Sequence, residues 1–210
     1  MHSEVDKFSI LIPMKVPSEG KSRLINVLDG PSRELLTIAL LRRVVKASTE
    51  SSVDDVYVVG GGIKVAQLCQ QMGVNWLDSN SGDLNFDVSV GITEISQIGN
   101  GTVYLPGDLP FLTPSDINSV IELSNNGNFA VLVSSESDGG TNCILFPNQT
   151  ELIPLLGNDS YRRHYEYAKD RGIPFETIRP EGLLIDLDTP EDLRKCEEIE
   201  NGFLKNMGII

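Results

Sequence analysis

Short unbroken apolar runs alternate with stretches of helical periodicity along almost the whole chain. Phe8–Met14 is a continuous apolar run of strand length. Pro31–Ala47 sets Leu35, Leu36, Ala39, Leu40 and Val44 on one helical stripe, with Pro31 suited to the first turn. Asp55–Val59 predicts a strand, Ile63–Met72 a helix closed by Gly73, and Val74–Leu77 a short strand. Leu84–Ile98 predicts a helix that has to accommodate Gly91. Thr102–Leu105 is a strand. Thr113-Pro114-Ser115-Asp116 opens a helix, with Thr113 as N-cap and Pro114 at the first position. Phe129–Ser134 and Cys143–Phe146 are strands, and Ser160–Arg171 is a helix ended by Gly172. Phe175–Ile178 and Leu184–Leu187 predict two more strands. Thr189-Pro190-Glu191-Asp192 opens the last helix.

Strands alternating with helices at this spacing imply right-handed βαβ units and a mostly parallel sheet. The two strands around Asp138-Gly139-Gly140-Thr141 add an antiparallel element, so a mixed sheet is expected. No repeat, low-complexity segment or linker interrupts the pattern, and residues 1–210 read as one domain. In open sheets of this kind ligands bind beyond the carboxyl ends of the strands, which directs attention to the residues that follow each strand.

Composition narrows the ligand. The 210 residues include 17 Lys plus Arg against 30 Asp plus Glu, a net charge of −13. That bias argues against nucleic acid or an anionic membrane as partner. A small anionic ligand stays open, given a local basic loop, a bridging cation, or both. The N-terminal Met1–Lys7 is polar and lacks a signal-peptide core, and the longest apolar stretches, near Ile10–Met14 and Ala130–Val133, are far too short to span a bilayer. Cys69, Cys143 and Cys196 are scattered, which points to free thiols in a reducing cytoplasm rather than a disulfide framework or zinc site.

Five segments carry candidate chemistry. Lys15-Val16-Pro17-Ser18-Glu19-Gly20-Lys21-Ser22-Arg23 follows the first strand and concentrates three cations in an acidic chain. It is either a phosphate-binding loop or a solvated surface loop. Gly20-Lys21-Ser22 imitates the end of a Walker A motif, but Lys15 stands where the motif needs glycine. Gly60-Gly61-Gly62 lacks the last glycine of a dinucleotide fingerprint and reads as a turn needing positive φ. Leu105-Pro106-Gly107-Asp108-Leu109-Pro110 sets a carboxylate at a strand end between two stiffening prolines, as a ligand for a hard cation or as a turn cap. Asp186 and Asp188, two apart, face one way in extended backbone and repel unless a cation or basic group sits between them; Asp188 alternatively caps the last helix. The turn Asp138-Gly139-Gly140-Thr141-Asn142 is either a plain hairpin or an anion contact through Thr141 and Asn142. Gly157-Asn158-Asp159-Ser160 offers a second hydroxyl, as N-cap or as anion donor. With only His2 and His164 in the chain, a multi-histidine metal site is excluded.

Ile12-Pro13-Met14-Lys15, Lys21-Ser22-Arg23-Leu24, Leu105-Pro106-Gly107-Asp108-Leu109-Pro110, Asp138-Gly139-Gly140-Thr141-Asn142, the Gly157/Ser160 pair and Asp186-Leu187-Asp188-Thr189-Pro190-Glu191-Asp192-Leu193 occur here in one order. On these motifs the sequence resembles the 2-phospho-L-lactate guanylyltransferase family. Two positions depart from its pattern: Gly107, where Ala or Ser is usual, and Asp83, where a glycine precedes Leu84-Asn85. The resemblance implies an α/β three-layer sandwich with a mostly parallel mixed sheet, nucleotide-diphospho-sugar transferase-like (glycosyltransferase-A-like). It implies transfer of GMP from GTP to 2-phospho-L-lactate, or a close phospho-acid such as phosphoenolpyruvate, in coenzyme F-420 biosynthesis. The alternatives are another nucleotidyltransferase of this fold, acting on a sugar phosphate or molybdopterin-type acceptor, and a non-catalytic nucleotide-binding protein. By the same resemblance Lys15, Lys21, Ser22 and Arg23 hold the nucleotide's phosphates, Asn85 contacts the base, and Thr141, Gly157 and Ser160 bind the acceptor. Asp108, Asp186 and Asp188 hold Mg²⁺, and Lys15, Lys21, Arg23 and Asp108 carry the chemistry. The sequence is compatible with a cytoplasmic homodimer and specifies no oligomeric state.

Overall fold

The structure, a computed structural model, describes residues 7–79, 81–136 and 139–210. The polar N-terminal Met1–Asp6 and Asp138 of the glycine-rich turn lie outside the described residues. In chain order the elements are β1 (Phe8–Met14), α1 (Gly30–Thr49), β2 (Asp55–Gly60), α2 (Gly62–Met72), β3 (Asn75–Leu77), α3 (Leu84–Gln97), β4 (Gly101–Tyr104), α4 (Pro114–Leu123), β5 (Ala130–Ser134), β6 (Thr141–Phe146), α5 (Ser160–Asp170), β7 (Phe175–Thr177), α6 (Pro190–Ile199) and α7 (Phe203–Asn206). The strands form one seven-stranded sheet among the described residues, in the order β3-β2-β1-β4-β6-β5-β7. β6 runs antiparallel to both β4 and β5, and the other pairings are parallel. The antiparallel element is thus the strand that the glycine-rich turn feeds.

β1 is apolar except at Ser9, which is buried and accepts from Asn100, because both of its faces are covered. Ile10 and Ile12 point into one core with α1, α2 and α4, through Leu41, Val44, Val65, Leu68, Ile117 and Val120. Leu11 points the other way, into a core with α3 and α5 that includes Val88, Ile95 and Ala168. This is a three-layer α/β sandwich. α1 is buried on a second side as well: Leu36 and Leu40 pack with Leu193 and Cys196 of α6 and with Phe203 and Leu204 of α7. The three cysteines are free and buried. Among the described residues no helix is long and apolar enough to cross a membrane.

Most element ends fall within two residues of expectation, and one element differs in kind. The expected strand Leu184–Leu187 is not in the sheet. A short 3₁₀ turn, Glu181–Leu183, leads into a segment that forms no ladder: Glu136 N–H donates to the Leu184 carbonyl at 2.9 Å, and Leu187 N–H to the Asp108 carbonyl at 3.0 Å. Leu183 and Leu187 are buried, which produced the strand-like apolar pattern. The segment crosses the end of the sheet instead of joining it, and it carries Asp186 and Asp188 over that edge.

Gly91 also finds its reason. It sits inside α3, and a Cβ there would run into the side chain of fully buried Leu11. The glycine lets α3 approach β1 at backbone distance. Gly91→Ala is therefore expected to destabilise by about 1–3 kcal/mol through overpacking, against the gain of up to about 1 kcal/mol that alanine brings to a free helix. Urea unfolding checks this, and in a Leu11→Ala background the same substitution should turn neutral or stabilising.

Candidate active site

The loops after β1 and β4, the extended segment before α6 and the start of β6 all meet at the carboxyl edge of the parallel strands. The first three border an open cleft of about 560 Å³, lined among others by Lys15, Lys21, Ser22, Arg23, Asp108 and Asp188. The first loop is folded into two short 3₁₀ turns, Pro17–Glu19 and Ser22–Leu24, with Lys21 between them at φ 53°, ψ 36°. A non-glycine residue in this left-handed region costs about 1–2 kcal/mol. The lysine side chain is only 6% exposed, so desolvating its ammonium adds to that cost.

Carboxylates from other loops offset both penalties. Lys21 Nζ donates to Asp108 Oδ2 at 2.5 Å and lies 3.6 Å from Asp188 Oδ1, while Arg23 Nη1 donates to Asp188 Oδ2 at 2.9 Å. Burial pulls the Lys21 pKa down, but Asp108, then Asp188 and Asp186, outweigh it and hold it above the ordinary lysine value. Asp186 is fixed separately, its Oδ1 accepting from Ser135 Oγ at 2.9 Å and Asn142 Nδ2 at 3.2 Å. The cationic loop thus supplies a basic group between Asp108 and Asp188, whereas the expected one between Asp186 and Asp188 is not what holds Asp186.

The competing role for Asp188 is excluded by α6 itself. Thr189 is the N-cap, in a capping box with Asp192, and Asp188 stays free for Lys21 and Arg23. The Gly60-Gly61-Gly62 turn has φ of 84°, 75° and 70°, as its turn reading requires. Asp83, the departure before Leu84-Asn85, is the N-cap of α3, accepting from Asn85 N–H and Phe86 N–H at 2.8 and 3.2 Å.

Among the described residues no three His, Cys, Asp or Glu side chains stand together as a ready metal cage, so Asp108, Asp186 and Asp188 share an edge without forming one. Magnesium does not need such a cage: one or two carboxylates plus substrate phosphates suffice. Asp108 fits that pattern, because its Oδ1 is buried and has no hydrogen-bond partner among the described residues.

Thr141 and Ser160 do come together, with hydroxyl oxygens 3.0 Å apart, and Tyr161 N–H donates to the Gly139 carbonyl at 3.2 Å, tying the two loops. They are buried behind the cleft rather than lining it, and Gly157, at φ 114°, is exposed beside them. Ser160 is the first helical residue of α5 and not its N-cap. His164 sits behind the pair, fully buried, with Nδ1 3.1 Å from Thr141 Oγ1. Burial pushes the imidazole down to about 4, opposed by hydrogen bonding to the Ser160 backbone and assisted by the Arg163 charge. Asn85 departs from expectation: its amide clasps the backbone of Leu156, donating to the carbonyl at 3.2 Å and accepting from the N–H at 2.6 Å. That clasp joins α3 to the loop before α5. Sequence reasoning missed Ser135 and His164, since neither lies in a recognisable motif; only their packing against Asp186 and Thr141 gives them meaning.

A family described as guanylyl transferase CofC-like matches residues 8–205. The chain belongs to this CofC-like family. It is 31% identical over 188 residues to a phosphoenolpyruvate guanylyltransferase of Rubrobacter xylanophilus, covering 89% of this chain and 92% of that one. It is 23% identical to a 2-phospho-L-lactate guanylyltransferase of Methanocaldococcus jannaschii, covering 97% of this chain and 90% of that one. A solved structure from Desulfovibrio desulfuricans, described as a nucleotide-diphospho-sugar transferase, shares the fold at TM-score 0.76 and 15% identity, with 94% of this chain and 90% of that one covered. This CofC-like protein is accordingly an enzyme of nucleotidyl transfer.

The charge cluster of the CofC-like site makes an asymmetric prediction. Lys21→Met removes the buried cation and lets the more exposed Asp108 and Asp188 carboxylates rehydrate, so the stability loss should stay below about 1.5 kcal/mol. Asp108→Asn strands the buried ammonium with weaker partners and should cost more, about 3 kcal/mol. Chemical denaturation of both variants checks the order.

Proposed function

We propose that the protein transfers GMP from GTP to a small phospho-acid, phosphoenolpyruvate or 2-phospho-L-lactate, releasing pyrophosphate, in a Mg²⁺-dependent reaction that serves coenzyme F-420 biosynthesis. The observation that carries this reading is the cross-loop cluster of Lys21, Arg23, Asp108 and Asp188 at the cleft, in a chain whose relatives are guanylyltransferases.

The attacking group is a phosphate oxygen, whose second pKa of about 6 leaves it ionised at neutral pH. No strong general base is needed, and the protein's work is alignment and charge neutralisation. Lys15, exposed at the cleft, and Ser22 reach the triphosphate directly. Lys21 and Arg23, which bond Asp108 and Asp188 in this structure, would be available to the phosphates once a metal shared those carboxylates. Asp108, with Asp186 and Asp188, would hold Mg²⁺, which neutralises phosphate oxygens and makes the α-phosphorus more electrophilic. Thr141, Gly157 and Ser160 receive the phosphate or carboxylate of the acceptor. The relatives of higher identity bear the phosphoenolpyruvate name, which favours that acceptor. The base contact assigned to Asn85 is not part of the proposal, because its amide is engaged with Leu156.

A matrix of nucleotides against acceptors, read as pyrophosphate release, tests the reading. GTP with phosphoenolpyruvate or 2-phospho-L-lactate should be the productive pair; preference for a sugar 1-phosphate would overturn it. Lys21→Ala and Arg23→Ala should each weaken GTP binding by about 1.5–3 kcal/mol, the worth of a charge-assisted hydrogen bond. Asp108→Asn should nearly abolish turnover, and a normal Mg²⁺ dependence in that variant would remove the metal assignment.

A further inference from the structure

We infer that His164 is a positioning residue for the acceptor: held in one tautomer by the Leu155 amide, it makes the Thr141–Ser160 hydroxyl pair a hydrogen-bond donor toward an anionic oxygen of the phospho-acid. The inference rests on the acceptor reading of Thr141 and Ser160 given above.

The protons of the three groups can be counted. Leu155 N–H donates to His164 Nε2 at 2.7 Å, and a backbone N–H cannot accept. Nε2 is therefore bare, and the neutral ring carries its proton on Nδ1. Nδ1 lies 3.1 Å from Thr141 Oγ1, which lies 3.0 Å from Ser160 Oγ. The imidazole proton is spent on Thr141 Oγ1 or on the Ser160 backbone, which also bonds the ring, and the bond between the two hydroxyls uses one of their two protons. One hydroxyl proton is left over, whichever of the two oxygens keeps it. Among the described residues neither hydroxyl has a further partner.

In the opposite tautomer Nδ1 would accept. Both hydroxyl protons would then be consumed inside the chain, and the pair would offer lone pairs alone, which repel a phosphate or carboxylate. The Leu155 amide, on the loop leading to Gly157, thus sets the sign of the hydroxyl pair. A purely structural lock would have no use for a leftover donor. With Ser160 2% and Thr141 6% exposed, a donor in this position calls for an acceptor that arrives with the ligand.

Two substitutions separate the relay from the anchor. His164→Gln sets an amide oxygen near the Nε2 position, keeps the Leu155 bond, and has no donor at the Nδ1 position. His164→Asn sets an amide nitrogen near Nδ1 and leaves the Leu155 N–H unpaired. In His164→Gln the pair keeps its spare proton but loses the Nδ1 donor that fixes how the Thr141 hydroxyl is turned, so the KM for phosphoenolpyruvate and 2-phospho-L-lactate should rise about tenfold, with the KM for GTP and the thermal midpoint near wild type. In His164→Asn the midpoint should fall while the acceptor KM stays within about threefold of wild type. Acceptor KM values that follow the thermal midpoint in both variants would overturn the relay.

A long-range ¹H–¹⁵N spectrum of the wild-type imidazoles gives an answer that needs no variant to fold. A proton on Nδ1 of His164 supports the relay, and a proton on Nε2 overturns it. With two histidines in the chain, the assignment is simple. Thr141→Ala distinguishes the failures. If it leaves the acceptor KM unchanged, the acceptor site falls and the relay with it; if it raises the KM and His164→Gln does not, the relay alone fails.

Discussion

A buried ammonium in left-handed backbone is unfavourable on its own, and the ligand-binding edge of this protein is organised around making Lys21 tolerable. Its side chain reaches from the loop after β1 to Asp108 after β4 and to Asp188 before α6. These segments are 87 and 167 residues from Lys21 in the chain, so the ion pairs fix the relative placement of loops that no secondary structure connects. The chain carries a net charge of −13. Its carboxylates at the edge are already matched by Lys21 and Arg23.

The layers of the fold were legible because both periodicities were strong. β1 is apolar at all but one of the positions that the two helical layers cover, and α1 carries the stripe that one of those layers needs. The lost strand shows the limit of that signal. Burial alone makes an apolar run, and whether Leu184–Leu187 joins a ladder depends on neighbours that the run itself cannot reveal. The four residues of α7 likewise owe their place to Phe203 and Leu204 packing on α1 and α6, not to local propensity.

The site was legible residue by residue and less so as an arrangement. Lys21, Arg23, Asp108 and Asp188 could be found from cations and carboxylates at strand ends, and the structure joins them. Asp186 stands apart from Asp188 in its partners, although both sit on one extended segment, because Ser135 and Asn142 claim it first. Asn85 fitted a base-contact segment, yet a polar amide beside an unpaired loop backbone is as readily a clasp, and Leu156 shows that it is one. Sequence separation hides such claims, since each depends on which two loops the sheet order brings together.

The two departures from the family pattern follow from the same local competition for space and hydrogen bonds. Asp83 replaces a flexible glycine with the cap that α3 needs, and in doing so fixes the direction of Leu84 and Asp87 at the cleft. Gly107 precedes Asp108 without a side chain because Met14 fills that volume: a Cβ there would meet the Met14 sulfur and come within 3.5 Å of Ile12 Cγ2. An alanine or serine at position 107 therefore requires a smaller or differently turned residue at position 14. Gly107 and Met14, the last residue of β1, therefore behave as one packing unit beside Asp108.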